Sequence, residues 1–263
     1  MTITSSQNTR VKLARTLLAS RKERESNHSF VVEGVRLSEE ALIAGNKPQY
    51  ALYSSQLSVR GRDIIKALIE KNVKVEEVGA GLLGRVSDTQ TSQGIMLVLN
   101  IPDAQPRTDN QNILILDQVS DPGNLGTLLR SAAGFGFSTV IATPGSVDFY
   151  SPKVVRSAMG AHFKCILLVK EVDEIKDICK FKNQPPIEIL LAESQASQPC
   201  WEMDLSGPLG LVIGSEAAGP TDALRSISDG SISIPINSGN ESYNAAVSGS
   251  ILMYEVYRQR KII

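Results

Sequence analysis

A chain of 263 residues, 42 % hydrophobic and 21 % charged with a formal net charge of −1, can bury enough apolar surface for one large α/β domain or two small ones without metal or disulfide staples. No apolar run reaches the ~18 to 20 residues that span a bilayer. Residues 1–20 carry basic side chains among Leu13, Leu17 and Leu18 instead of the apolar core of a secretory signal, so a cytoplasmic, membrane-free chain is expected. Cys165, Cys179 and Cys200 are odd in number and widely spaced, which fits buried free thiols better than a disulfide framework or a zinc site. The two histidines, His28 and His162, have no paired ligand spacing, and no metal is expected.

The charge is unevenly divided. Residues 1–105 hold 14 Lys/Arg against 11 Asp/Glu, a balance of +3, and residues 106–263 hold 13 against 17, a balance of −4. Most of the excess lies in the first 24 residues, where Arg10, Lys12, Arg15, Arg21, Lys22 and Arg24 face only Glu23. Such an end offers phosphate contacts, or it is simply a solvated helix face. In the first half helical periodicity runs over Asn8–Arg24, Gly34–Ala44 and Gly61–Lys71, and β-type stretches over Phe30–Val32, Tyr50–Tyr53, Lys74–Val78 and Gly94–Leu99. This predicts a small α/β/α domain over residues 1–103. Residues 104–111, rich in periodicity breakers, read as a linker, and a second domain follows over 112–263. Its apolar strand candidates are Ile113–Leu116, Thr139–Ala142, Cys165–Val169, Ile187–Leu191, Leu209–Ile213 and Ser231–Ile236, with helical stretches between most of them. Near-continuous apolar strands alternating with helices predict a parallel sheet covered on both faces, and ligands in such sheets bind beyond the strand C-termini.

Gly79-Ala-Gly-Leu-Leu-Gly84 fits the dinucleotide pattern and follows a strand candidate. Only a few residues separate it from Asp88, Thr89, Thr91 and Ser92, too little room for the long helix that carries a pyrophosphate. Three other segments, each after a strand candidate, concentrate glycine or proline with a few polar side chains. In residues 116–136, Pro122 and Gly123 turn the chain, Asn124 reads as a helix cap, and Leu125, Leu128, Leu129 and Ala132 form a buried stripe from which Arg130 is excluded. Arg130 is therefore either solvated or free to meet a ligand. In residues 209–220, Gly214 and Gly219 permit close backbone approach and Glu216 is the only charge, a loop better suited to a neutral or cationic small molecule than to a triphosphate. In residues 232–260, Pro235 ends a strand, a polar loop leads to Glu241 and Ser242, and Ala245, Ala246, Ser248, Gly249 and Ser250 line a helix that allows another backbone to come close, within the domain or across a dimer interface.

Taken in this order, the segments resemble the three signature motifs of the SpoU (TrmH-like) branch of the SPOUT RNA methyltransferases. The first is Asn124-x-Gly126 with Arg130, the second Ile213-Gly-Ser-Glu-x-x-Gly219, and the third Ile234-Pro-Ile followed by Glu241-Ser-x-Asn244. Residues 151–163 look like the segment between the family's first two motifs. Residues 1–100 are similar to the small RNA-binding domain that often precedes this core, through Phe30-Val-Val-Glu-Gly-Val-Arg36 and Thr91-Ser-Gln-Gly94. The resemblance implies an S-adenosylmethionine-dependent enzyme that methylates a ribose 2′-hydroxyl in RNA, above all 23S ribosomal RNA for this two-domain layout. It also implies a homodimer, and an α/β fold whose C-terminal parallel sheet contains a deep trefoil knot, an arrangement general topology rules disfavour.

Carried over position by position, the catalytic residues are Arg130, Asn124, Glu216, Ser242 and Asn244. The cofactor residues are Thr143, Pro144, Gly145, Ile213, Gly214, Glu216, Ile234, Ser242 and Asn244. RNA contacts fall to Arg10, Lys12, Arg36, Arg130 and Arg156. Tyr243 stands where the family usually has Leu, and Ala245 and Ala246 where Val is more common, which predicts an altered pocket wall with activity retained. The competing readings are transfer-RNA ribose methylation, methylation of a base nitrogen, and a non-catalytic RNA-binding or ribosome-assembly protein. The Asn124–Arg130 motif favours ribose, and the intact motif set weighs against loss of catalysis.

Overall fold

The computed structural model describes residues 2–106, 112–182, 185–237 and 242–261; Glu241 and residues 107–111 of the expected linker lie outside the described residues. Two compact units divide the chain: residues up to Asp103 with Tyr150–Phe163, and Ala104–Phe149 with the residues from Lys164 onward.

The first unit contains α1 (Thr9–Ala19), α2 (Arg21–Ser26), β1 (Ser29–Glu33), α3 (Val35–Ile43), β2 (Tyr50–Tyr53), α4 (Val59–Glu70), β3 (Lys74–Glu77), α5 (Ala80–Val86) and β4 (Ile95–Asn100). Its sheet has the order β1-β4-β2-β3. Side chains alternate across β4 because strand periodicity is two. Ile95, Leu97 and Leu99 pack with Leu37 and Ala41 of α3 and Ile64 and Leu68 of α4, whereas Met96 and Val98 pack with Val11, Ala14 and Leu17 of α1 and Leu82, Leu83 and Val86 of α5. This is the expected α/β/α arrangement. The helix expected over Asn8–Arg24 is two helices, because Ser20 is extended (φ −135°, ψ 125°) and its side chain accepts from Glu23 N to start α2. The glycine pattern at 79–84 leads into α5, a seven-residue helix whose buried side faces the core.

The second unit contains β5 (Asn112–Leu116), α6 (Pro122–Phe135), β6 (Thr139–Ala142), β7 (Ile166–Val169), α8 (Val172–Lys176), β8 (Glu188–Ala192), β9 (Leu209–Ile213), α9 (Asp222–Arg225), β10 (Gly230–Ile232) and α10 (Ala245–Lys261); α7 (Pro152–Ser157) lies between β6 and β7 in the chain and folds with the first unit. The strand order is β10-β8-β9-β5-β6-β7, and every pairing is parallel. β9 is buried along its whole length and β5 along all but its first residue, as strands with helices on both faces require. The last strand is shorter than expected: after Ile232, the Ser233 carbonyl accepts from Cys200 N at 2.9 Å, and Pro235, with no N–H, cannot extend the ladder.

α6 starts at Asp121, not Asn124. The Asp121 Oδ1 accepts from Asn124 N at 2.7 Å, and Pro122 occupies the first helical position, where its missing N–H costs nothing. Gly136, left-handed at φ 81°, ends the helix. The small residues of α10 serve contacts within this unit. A Cβ on Gly249 would lie 2.4 Å from Leu128 Cδ2 of α6, and the Ser250 and Ser131 hydroxyls bond at 2.7 Å. Another side of α10 leaves Val247, Ile251, Tyr254 and Tyr257 exposed, with Phe135 set edge-on to Tyr254 at 5.8 Å.

Residues 150–163, expected inside the second domain, belong instead to the first unit. Tyr150 packs on Phe30 at 4.8 Å between ring centroids, Val155 joins the core beneath α3 and α4, and Arg156 pairs with Asp88 at 2.7 Å. These apolar contacts outweigh sequence proximity to β6 and β7. Among the described residues no helix is long and apolar enough to cross a membrane, and no group of three or more His, Cys, Asp or Glu is placed to hold a metal.

Candidate active site

All six strands of the second sheet point the same way, so the loops after β8, β9 and β10 gather at one edge, the position where open α/β sheets bind ligands. They enclose a cavity of about 610 Å³, within the roughly 300–1,000 Å³ typical of small-molecule sites. Its walls are Ala192–Ser197 after β8, Ile213–Glu216 and Ala218–Pro220 after β9, Ser231–Ile236 in part around β10, and Ser242, Tyr243, Ala245, Ser248 and Leu252 at the start of α10. The β9 loop folds back on itself: Gly219 N donates to Ser215 O at 2.8 Å. A Cβ on Gly214 would sit 2.1 Å from Gly219 C and 2.2 Å from Pro220 N, so only glycine fits there. Ile213, Ile234, Ile236 and Leu252 give apolar walls, while Ser194, Gln195, Ser197 and Ser242 supply hydrogen-bonding groups. Arg225, the cation of the lining, is held by Glu193. A triphosphate would meet no free cation among these residues.

At the rim a chain of carboxamides joins three elements. Asn124, at the third position of α6, donates its Nδ2 to Glu216 Oε1. Its Oδ1 accepts from Asn244 Nδ2 at 3.1 Å. The Asn244 Oδ1 in turn caps α10, accepting from Ala246 N at 2.9 Å and Val247 N at 3.3 Å. Because Asp121 is the cap of α6, the Asn124 side chain is released from capping to make this bridge. Arg130 lies farther along α6, exposed, and makes no hydrogen bond or ion pair among the described residues. That leaves its five donors and fixed charge available to an incoming anion.

The structure thus brings Ile213, Gly214, Glu216, Ile234 and Ser242 to the cavity and links Asn124, Glu216 and Asn244 at its rim. It does not bring Thr143, Pro144 and Gly145 there. They follow β6, on the other side of β5 from the cavity strands, and the buried Thr143 donates to Asp117 Oδ1 at 2.8 Å. Residues 193–197 and Tyr243 line the cavity and are absent from the set expected from sequence. A polar stretch directly after an apolar parallel strand, the pattern that singled out Gly214–Pro220, is equally present after Leu191.

The basic residues expected at an RNA surface are dispersed. Arg10 is paired with Glu76 at 2.8 Å and Arg156 with Asp88, whereas Lys12 and Arg36 have no ion-pair partners among the described residues. Arg10 and Lys12 ride on α1 and Arg36 on α3, helices that cover opposite faces of the first sheet. Arg24 is buried and donates to Leu17 O at 2.6 Å, a structural use of a charge. The thiols are equally structural: burial pushes Cys165 up to about 11 and Cys179 up to about 12, so neither is a thiolate nucleophile near neutral pH.

A parallel α/β sheet with a glycine-cradled, cation-poor cavity at its strand ends, rimmed by carboxamides and a carboxylate, defines a small-molecule site. Comparison with known proteins makes this class specific. A profile of the SpoU rRNA Methylase family matches residues 111–254, and one of the MRM3-like substrate binding domain matches residues 8–97. The chain belongs to the SpoU rRNA methylase family. It is 30 % identical to the 23S rRNA (guanosine(2553)-2′-O)-methyltransferase RlmP of Bacillus subtilis over 97 % of this chain and 98 % of that one. It is also 30 % identical to human mitochondrial rRNA methyltransferase 3, over 95 % of this chain and 72 % of that one. The crystal structure of the SpoU methyltransferase AviRb from Streptomyces viridochromogenes in complex with AdoMet superposes with a TM-score of 0.87 at 27 % identity, covering 97 % of this chain and all of that one.

Proposed function

We propose that this protein transfers the methyl group of S-adenosylmethionine to a ribose 2′-hydroxyl of 23S ribosomal RNA in the cytoplasm. The observation that carries the reading is the Glu216–Asn124–Asn244 bridge at the rim of the glycine-cradled cavity, in a chain whose full-length relatives carry 23S rRNA 2′-O-methyltransferase names. The cavity fits the cofactor: its apolar walls and serine and glutamine edges suit a nucleoside with a zwitterionic tail, and Gly214 and Gly219 let backbone groups reach it. Bound there, the cofactor supplies an electrophilic methyl carbon on a positively charged sulfur.

The residues of this chain have the remaining work. Ile213, Gly214 and Ile234 hold the nucleoside by shape and backbone, and Ser242 and Glu216 face the reacting end of the cavity. Asn124 and Asn244 keep Glu216 from swinging into solvent, and alignment of this kind contributes strongly to an in-line displacement. Arg130 binds the phosphate beside the target ribose and stabilises negative charge growing on the 2′-oxygen. It does not take the proton, because a guanidinium stays charged at any working pH.

RNA contacts are assigned to Lys12, Arg10, Arg36 and Arg156, with Asp88 giving up Arg156 to a phosphate. Their position on two faces of the first sheet suits a folded RNA better than a straight strand, since RNA is recognised largely by shape. The same reading includes the trefoil knot. Its support is a strand order in which β9 enters between β8 and β5, the chain then crosses to β10 outside β8, and α10 returns to pack on α6 and β9. It also includes a homodimer, supported by the exposed Val247, Ile251, Tyr254 and Tyr257 of α10. Sedimentation equilibrium should return twice the 28.4 kDa chain mass; a single-chain mass at micromolar concentration counts against the dimer.

The deciding experiment is transfer of labelled methyl from S-adenosylmethionine to unmodified large-subunit, small-subunit and transfer RNA, followed by alkaline hydrolysis. One alkali-resistant linkage in 23S RNA is expected. A resistant site in transfer RNA alone reassigns the substrate, label at an alkali-sensitive position reassigns the reaction to a base, and cofactor binding without transfer to any RNA points to a binding protein.

A further inference from the structure

Asp117, the residue after β5, is 1 % exposed and meets no cation among the described residues. A buried carboxylate of this kind is costly unless its oxygens are well bonded. Here Oδ1 accepts from the Thr143 hydroxyl at 2.8 Å and Oδ2 from Thr221 N at 2.6 Å. The Thr143 oxygen also accepts from Gln118 N at 3.1 Å, so its proton is committed to Asp117. The backbone of Asp117 adds a further tie, its N–H donating to Ile213 O at 2.9 Å. One residue therefore grips the chain on both sides of the Gly214–Pro220 loop, at Ile213 through its backbone and at Thr221 through its carboxylate. Neither Asp117 nor Thr143 lines the cavity.

We propose that Asp117 is a positioning residue for this loop. By fixing its two ends from the end of β5 it sets the wall of the cavity and the reach of Glu216 toward Asn124, which the chain meets just past the turn from β5 into α6. Thr143 acts by completing the carboxylate's hydrogen bonds and not as a cofactor ligand. The inference rests on the cofactor reading of the cavity.

Asp117→Asn tests it with little change in volume. A carboxamide has one acceptor oxygen, so either Thr221 N–H faces an NH2 group or the Thr143 hydroxyl loses its acceptor. Titration calorimetry with S-adenosylmethionine, well below the melting temperature, should show Kd raised about tenfold, the scale of one lost hydrogen bond to a charged group, and kcat at saturating cofactor and RNA should fall as well. Thr143→Val should weaken cofactor binding in the same direction, and Thr143→Ser, which keeps the hydroxyl, should restore it; this pair carries the test if Asp117→Asn does not fold. A lower melting temperature with unchanged Kd and kcat in Asp117→Asn, or equal Kd for the Val and Ser variants, would make the cluster merely structural and overturn the proposal. Failure of the unsubstituted protein to bind the cofactor would instead remove the functional reading, and the inference with it.

Discussion

Arg130→Ala is expected to lower kcat by roughly 10² to 10³-fold, the loss typical of removing one group that stabilises transition-state charge, with the Kd for S-adenosylmethionine within about twofold of the parent. The expectation combines three observations. Arg130 is exposed and unpaired among the described residues, it is absent from the cavity lining, and it stands on a helix whose Leu125, Leu128, Leu129 and Ala132 provide the packing. Removing its side chain opens no cavity and strands no buried partner, and alanine is at least as good a helix former. The melting temperature should therefore hold, which separates chemistry from folding. Arg130→Lys keeps the charge but loses the planar fork, so it should retain a measurable part of the activity. Burst kinetics and calorimetry on the three proteins decide the matter: a parallel fall in cofactor affinity would make Arg130 a cavity residue and refute its role at the RNA phosphate.

The sequence already contained much of this site, though unevenly. Strand positions in the second unit were readable because fully buried parallel strands are apolar without interruption, as Ile113–Leu116 and Leu209–Ile213 are. Gly214 was readable because a strand-end glycine signals close backbone approach, and the distance to Gly219 and Pro220 bears this out. Local chemistry also held the cap of α6, since Asp121-Pro122 is a stronger start signal than Asn124. Other features depend on partners far away in sequence. Nothing in the periodicity of 150–163 tells that Val155 completes a core built by α3 and α4. The basic count of the first 24 residues likewise hid that Arg10 meets Glu76, that Arg21 meets Glu25 and that Arg24 is buried. Net charge sums residues irrespective of what they touch, so it overstated the cations that remain for a phosphate.

Gly214→Ala should raise the Kd for S-adenosylmethionine by about 10- to 100-fold and lower kcat at saturating cofactor by about 10²-fold, the scale of a 1 Å displacement of reacting groups. The added methyl would fall 2.1 Å from Gly219 C, 2.2 Å from Pro220 N and 2.5 Å from Gly219 O. All three are backbone atoms, so no rotamer change relieves the overlap, and such overpacking commonly costs about 1–3 kcal/mol. Relief requires the 215–219 turn to open. Its Gly219 N–Ser215 O bond would break, while Thr221 beyond it stays tied to Asp117. Strain trapped between these fixed ends moves Glu216, the acceptor of the Asn124 amide, and so reaches the reacting centre from a residue that carries no functional group. Gly134→Ala is the matched control: a Cβ there meets nothing within 4 Å, and in the last turn of α6 alanine should raise stability by less than the ~1 kcal/mol it gives in a helix interior, with activity intact. Wild-type cofactor affinity in Gly214→Ala would mean that the loop yields without cost, and the cavity would then owe its shape to other residues than this glycine.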